Sequence, residues 1–194
     1  MRRHKNGLKF NRKRRKIDWS RIGSMVSWLF EAVIVVAIAY VLVMNFGIRS
    51  SMIGSSMEET IHSGDQILVN KFAAVVSHPK AGDVVVFLPN GNEKSHYYVR
   101  RIVAGPGDTV QIKDGNLYVN GERYEESSEV EKMNDPGLAE EPITLASDEY
   151  FVLGDNRNDS EDSRSANIGI VKEDYIIGIA WFRLGGIKDF GFIR

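Results

Sequence analysis

The chain has no cysteine in 194 residues. That excludes disulfides as a source of stability and thiolates as nucleophiles or metal ligands, although it is compatible with an oxidising exterior. Histidine is scarce: His4, His62, His78 and His96 are scattered without ligand spacing, so neither a metal nor another cofactor is expected. Helical periodicity over three turns is missing from residues 62 to 194, and no internal repeat recurs, which excludes helical bundles and solenoids for that stretch. Long apolar runs are lacking but for one. Negative charge is nearly absent from residues 1–21, where ten Lys or Arg stand against Asp18 alone.

The single apolar run extends from Ser27 to Phe46, and Glu31 is its only formally charged residue. Twenty residues at helical rise span about 30 Å, the thickness of a hydrocarbon core. Trp19, Trp28 and Phe30 suit an interfacial belt, and Glu31 lies close enough to the start to reach the interface. A cleavable leader would have a shorter apolar region followed by small residues. This run is longer and leads into Phe46-Gly47-Ile48-Arg49, so a retained, single-pass anchor over 22–47 is expected. The basic tail 1–21 then marks the cytoplasmic side of a cell membrane by the positive-inside rule, and residues 48–194 are expected outside the cytoplasm. A nucleic-acid arm is the rival reading of such a tail. The remainder argues against nucleic acid: residues 50–194 carry 14 basic and 24 acidic side chains, a net of −10.

About 145 residues follow the anchor, enough for one domain with its own core. Their pattern is β. Short runs rich in Val, Ile and aromatics fall at 66–70, 83–88, 97–103, 109–112, 116–120, 150–153 and 175–183. Turn signals separate them, among them Ala81-Gly82-Asp83, Gly105-Pro106-Gly107-Asp108 and Asp114-Gly115, the last predicting a hairpin. The fold class expected is mostly β: an antiparallel, partly closed barrel or two coiled sheets behind one transmembrane helix. Residues 122–141 hold eight acidic side chains and read as a long surface loop.

Three segments stand out for chemistry. Gly54-Ser55-Ser56-Met57-Glu58-Glu59-Thr60 offers hydroxyls shortly after the anchor, and by itself is as readily a linker. Gly154-Asp-Asn-Arg-Asn-Asp-Ser-Glu-Asp-Ser-Arg164 is a polar turn after a strand, yet it sets Arg157 and Arg164 among four acidic residues in an arrangement that suggests an ion-pair network. Tyr98-Val-Arg-Arg-Ile-Val-Ala-Gly-Pro-Gly-Asp108 runs a strand into a glycine–proline turn.

In this order, behind an N-terminal anchor, the segments resemble type I signal peptidases, the membrane-bound Ser-Lys endopeptidases that remove signal peptides from exported proteins. The resemblance covers the anchor and nearly all of residues 48–192. GDNRNDSEDSR fits that family's GDNRxxSxDSR throughout, AGDVVVF at 81–87 and GPGD at 105–108 fit its strand and turn, and 54–60 is similar to GxSMxPT. The resemblance implies Ser56 as nucleophile, its N–H as oxyanion donor, and signal peptides emerging from a lipid bilayer as partners. It implies that Ile53, Gly54, Ser55 and Met57 flank the substrate, with the Ile53–Ser55 stretch pairing as a strand. It also implies that Ser160 hydrogen-bonds the base, and that Asp162 pairs with Arg101 or Arg164, while Asp155 and Arg157 support the loop.

The chain departs from the pattern at three places. Gly54 replaces a side-chain donor found in some members, Glu59 replaces proline, and Arg100 stands in the place of the base lysine. Neutralising a guanidinium near pH 7 costs roughly 7–9 kcal/mol, whereas a general base contributes about 10²–10⁴-fold in rate. Arg100 therefore cannot do the lysine's work by the same route. Lys94 and His96 precede it by about 20 and 13 Å if the strand is extended, and Lys71 reads as a solvated lysine at a strand end. Three readings remain open: a serine endopeptidase, a catalytically weak relative that binds signal peptides, and a membrane-anchored structural β module.

Overall fold

The computed structural model describes residues 19–46, 48–51, 53–125, 130–185 and 190–193. Most of the basic tail, residues 1–18, lies outside the described residues, as does part of the acidic stretch at 126–129. The chain divides into two compact units, Met1–Tyr40 and Val41–Arg194.

Helix α1 (Trp19–Phe46) begins in the first unit. Its stretch Gly23–Val41 has a mean hydropathy of 2.0 and is covered nowhere by other parts of the protein. Val33, Val35, Val36 and Ile38 all stand exposed on it. A helix apolar on every side has no stable place in water, and this one is long enough to cross a membrane.

The second unit is β, apart from the six-residue helix α2 (Lys71–Val76) and three single turns of 3₁₀ helix. Its strands in chain order are β1 (Ile48–Ser51), β2 (Gln66–Asn70), β3 (Val84–Phe87), β4 (Tyr98–Ala104), β5 (Thr109–Lys113) and β6 (Asn116–Val119). They continue with β7 (Glu122–Arg123), β8 (Ile143–Thr144), β9 (Glu149–Leu153), β10 (Val171–Lys172), β11 (Ile176–Leu184) and β12 (Phe190–Phe192). One sheet runs β1-β2-β11-β3-β4-β9-β10, with β12 also on β11; the other runs β7-β6-β5-β8. Every pairing is antiparallel. The register of the larger sheet shifts between Ile102 and Ala104, between Ile176 and Gly178, and between Ala180 and Phe182. Such bulges add twist, which coils the sheet while leaving β1 and β10 as its ends.

Strand β3 explains where the core sits. Its four residues, Val84 to Phe87, are all buried, because the pleat sends alternate side chains into different clusters. Val84 and Val86 pack with Met57, Ile61, Ile67, Val69, Val99 and Ala180. Val85 and Phe87 pack with Ile102, Tyr150 and Val152. A third cluster joins Val110, Ile112 and Leu117 of the smaller sheet to Val103, Ala104, Phe151 and Leu153.

The sequence expectations meet two corrections here. Residues 122–141 are not a surface loop throughout: β7 begins the segment, and Met133 and Ala139 are buried in the third cluster. Two apolar anchors outweigh the surrounding charge once Met133 N–H bonds Gly115 C=O at 3.0 Å. The stretch Ile53–Ser55 is not a strand; it bends, and the strand before it is β1.

The β5–β6 hairpin turns at Asp114 (φ 53°) and Gly115 (φ 75°), the left-handed pair that a two-residue hairpin of this kind requires. A Cβ on Gly115 would lie 2.9 Å from Met133 O. Gly115→Ala therefore lowers stability by roughly 1–3 kcal/mol, read as a shift of the urea midpoint with unchanged slope; an unchanged midpoint contradicts this reading of the turn.

Candidate active site

The segment after β1 folds as a tight turn rather than a strand because both its flanks are pinned. Met57 and Ile61 are wholly buried among Val84, Val86 and Val99. Between them Thr60 N–H and Ile61 N–H both donate to Met57 C=O, at 3.1 and 2.8 Å, and Glu58 N–H donates to Ser55 C=O at 3.0 Å. Ser56, next to the Met57 anchor, is only 9% exposed. Glu59 has φ 87°, a conformation closed to proline, whose ring holds φ near −65°. The turn here is therefore not the one a proline at this position would make.

The loop Gly154–Arg164, between β9 and β10, clasps this turn. Asn156 N–H donates to Ser56 C=O at 3.1 Å, and Asn156 Nδ2 to Ser55 C=O at 3.2 Å. Ser55 Oγ donates to Asp159 Oδ2. Thr60 Oγ1 donates to Asp155 Oδ2 at 2.6 Å. Asp155 also receives Arg101 in a two-pronged pair, Nε at 2.8 Å and Nη2 at 2.7 Å, a geometry that matches guanidinium to carboxylate. Arg183 donates to Thr60 C=O from the other side.

Inside the loop Asp162 is completely buried. Arg164 meets it with Nε and Nη2, each at 2.8 Å, and Gly154 N–H and Arg164 N–H donate to its two oxygens at 3.1 and 3.2 Å. Arg157, also buried, donates through Nε to Gly154 C=O. Gly154 is obligatory. A Cβ there would fall 2.2 Å from Ser160 Oγ and 2.5 Å from Ser56 O.

Arg100, on β4, is 5% exposed. Its Nε and Nη2 donate to Glu161 C=O at 2.9 and 2.6 Å, and Nη1 donates to Val99 C=O at 2.6 Å. The guanidinium carbon lies 5.3 Å from the centre of the Tyr98 ring. Burial lowers its pKa from the ordinary arginine value, while the charges of Asp162, Tyr98 and Glu161 act in the opposite sense. Ser160 Oγ is buried and has no hydrogen-bond partner among the described residues. The bond expected between Ser160 and the group at position 100 is thus not made. The guanidinium is longer than an amine and sends its donors to Glu161 C=O instead. Arg101 pairs with Asp155, and of the two arginines considered for Asp162 it is Arg164 that binds.

Ser56 and Arg100 line one cleft of about 610 Å³. Ile53, Tyr97 and the β1 residues Ser50 and Ser51 border it, and so do Arg49, Lys71 and His96. The last three were not expected together. His96 lies before β4 begins at Tyr98, so the distance reckoned along an extended strand does not apply. Lys71 is the first residue of α2, exposed as read from the sequence, yet it borders the cleft. Lys94 is exposed and is not part of the lining. Among the described residues no group of three His, Asp or Glu side chains is placed to hold a metal ion.

A family model for signal peptidase, peptidase S26, matches residues 25–184. Signal peptidase I P of Bacillus subtilis subsp. natto is 35% identical over 164 residues, spanning 80% of this chain and 86% of that protein. Signal peptidase I T of Bacillus subtilis is 34% identical over 160 residues, spanning 78% of this chain and 81% of that protein. The crystal structure of a signal peptidase I from Enterococcus faecalis is 29% identical and covers 52% of this chain and 95% of that one, with a TM-score of 0.42.

The clasp ranks the carboxylates that hold it. Asp155→Asn neutralises the carboxylate that accepts from both Arg101 and Thr60 in a largely covered place, and stability falls by about 3 kcal/mol. Asp159→Ala removes only an exposed bond and costs under about 1 kcal/mol. Thermal melts of the two variants check the order, and equal losses contradict it.

Proposed function

The chain belongs to the signal peptidase S26 family, and from that membership we propose that it removes signal peptides from preproteins by attack of the Ser56 hydroxyl. By class it is a serine endopeptidase, a hydrolase. The observation that carries the assignment of Ser56 is its placement: a nearly buried hydroxyl on a turn pinned by Met57 and Ile61, clasped by Asn156, and opening on the cleft that Arg100 shares.

The substrate enters as an extended chain along β1, the end strand of the larger sheet, whose Ser50 and Ser51 border the cleft. Backbone pairing supplies affinity there, and Ile53 at the border offers apolar contact. Ser56 Oγ attacks the scissile carbonyl. Its proton passes to the imidazole of His96, which borders the same cleft. An imidazole can take a proton and pass it on, which is what a general base and acid must do in turn. The oxyanion is held by the Ser56 N–H, and the fixed positive charge of Arg100 favours it further. The imidazolium then protonates the leaving amine, and water, deprotonated by the same imidazole, hydrolyses the ester to release the signal peptide. Arg101, Asp155, Asp162 and Arg164 are positioning residues: they hold the turn and loop on which Ser56 sits. Helix α1 anchors the chain in the cell membrane in a single pass, with the basic tail in the cytoplasm and residues 48–194 outside it. No metal or organic cofactor takes part in this reading.

In a signal-peptide cleavage assay Ser56→Ala abolishes turnover, whereas Ser55→Ala leaves part of it. His96→Ala lowers the rate by about 10²–10⁴-fold. Arg100→Lys, which supplies an amine that can lose its proton when desolvated, raises activity modestly. Turnover that survives Ser56→Ala overturns the nucleophile, and a His96→Ala variant of full activity overturns the base.

The topology is checked on spheroplasts. External protease digests residues 50–194 and spares the tail; protection of that region reverses the orientation.

A further inference from the structure

Arg100 is an unusual buried cation. All three of its hydrogen bonds go to backbone carbonyls, those of Val99 and Glu161. No carboxylate among the described residues bonds it. The two loop carboxylates whose charge acts on it are committed elsewhere: Asp162 to Arg164 and the Gly154 N–H, Glu161 to Tyr98 and Asn167. A guanidinium has five N–H donors; one on each terminal nitrogen is left over. A buried charge without a paired anion is costly, so the place favours an anion from outside.

The cleft around it has the matching sign. Its charged lining consists of Arg49, Lys71 and Arg100, with no acidic side chain among the described residues that border it. This holds although residues 50–194 carry a net of −10. Low-dielectric walls of one sign concentrate the opposite charge.

Hydrolysis creates such a charge. The scissile amide is neutral, but after cleavage the released signal peptide ends in a carboxylate beside Ser56, while the mature protein begins with an amine. We propose that the cleft is a binding site for the C-terminal carboxylate of a peptide, held on the Arg100 guanidinium, and that it retains the released signal peptide more tightly than an uncleaved chain. This rests on the assignment of signal peptides to the same cleft. Arginine at position 100 thus exchanges a base for an anion anchor. The amine of the mature protein has already left when the ester forms, so the carboxylate that water later releases is the product the guanidinium can hold.

The test uses the full chain in detergent micelles with Ser56→Ala, so that no turnover intervenes. Two synthetic fluorescent peptides are compared, each an apolar segment ending in Ala-Ser-Ala, one with a free carboxylate and one with a carboxamide. The carboxylate form binds about tenfold more tightly or better, as a charge-assisted two-pronged bond requires. Adding Arg100→Met removes the preference. Arg100→Lys loses the planar fork and supplies an amine that can give up its proton, and the preference shrinks; it serves as the second variant should the methionine protein fail to fold. Equal affinity for the two peptides overturns the carboxylate site while leaving signal-peptide binding intact. Binding of neither peptide overturns both. A preference that persists undiminished in Arg100→Met and Arg100→Lys overturns the assignment to Arg100.

Discussion

The two-pronged pair between Arg101 and Asp155 joins three pieces of chain that are far apart in sequence. Arg101 comes from β4 and Asp155 from the loop after β9, and the same carboxylate receives the Thr60 hydroxyl from the turn that carries Ser56. Arg101 also reaches Gly82 C=O at 2.8 Å, tying in the entry to β3. Remove this junction and the turn that carries Ser56 keeps its apolar pins, Met57 and Ile61, and its bonds to Asn156, Asp159 and Arg183, but loses the ion pair that ties it to β4. Apolar contacts give affinity but little direction, whereas charge-assisted hydrogen bonds fix angle as well as distance. The division of labour follows: burial holds the turn down, and the ion pair orients it.

Around that junction the loop Gly154–Arg164 satisfies nearly all its own polar groups. Asp162 accepts four bonds and Arg164 closes over it, so a fully buried carboxylate becomes tolerable. Among the described residues Ser160 Oγ is a buried exception without a partner, and outside the loop Arg100 bonds only to backbone carbonyls. A buried cation left with spare donors on the wall of the Ser56 cleft is a physical reason to look there for a ligand.

Replacing lysine by arginine changes chemistry more than charge. Both are cations when exposed, but burial can strip the proton from an amine and scarcely from a guanidinium. A neutral amine takes a proton; a planar cation takes an anion. Under the proposed function the two tasks fall to different residues of the cleft, proton transfer to His96 and charge stabilisation to Arg100. Glu59 belongs to the same local remodelling. Its φ of 87° shows that the turn after Ser56 has left the geometry proline would impose, and the chain bears the strain of a non-glycine residue there.

The long apolar helix, the mostly β fold, the Asp114-Gly115 hairpin and the segments around Ser56, Arg100 and Gly154–Arg164 were legible in the residues themselves, because each rests on local rules: helical rise, the two-residue pleat, turn chemistry and a spaced motif. Strand ends fell within a residue or so for the same reason. The sequence could not say that Ile53–Ser55 bends while Ile48–Ser51 forms the strand, since β1 exists only by pairing with β2, and neither run is apolar enough to declare itself. It could not bury Met133 and Ala139 within an acidic stretch, because that needs the smaller sheet to be present. Nor could it choose between Arg101 and Arg164 as the partner of Asp162, or bring Arg49, Lys71 and His96 to the rim of one cleft. Those outcomes depend on which strands lie side by side, and long-range pairing is decided by the free energy of the whole sheet rather than by any residue's own preference.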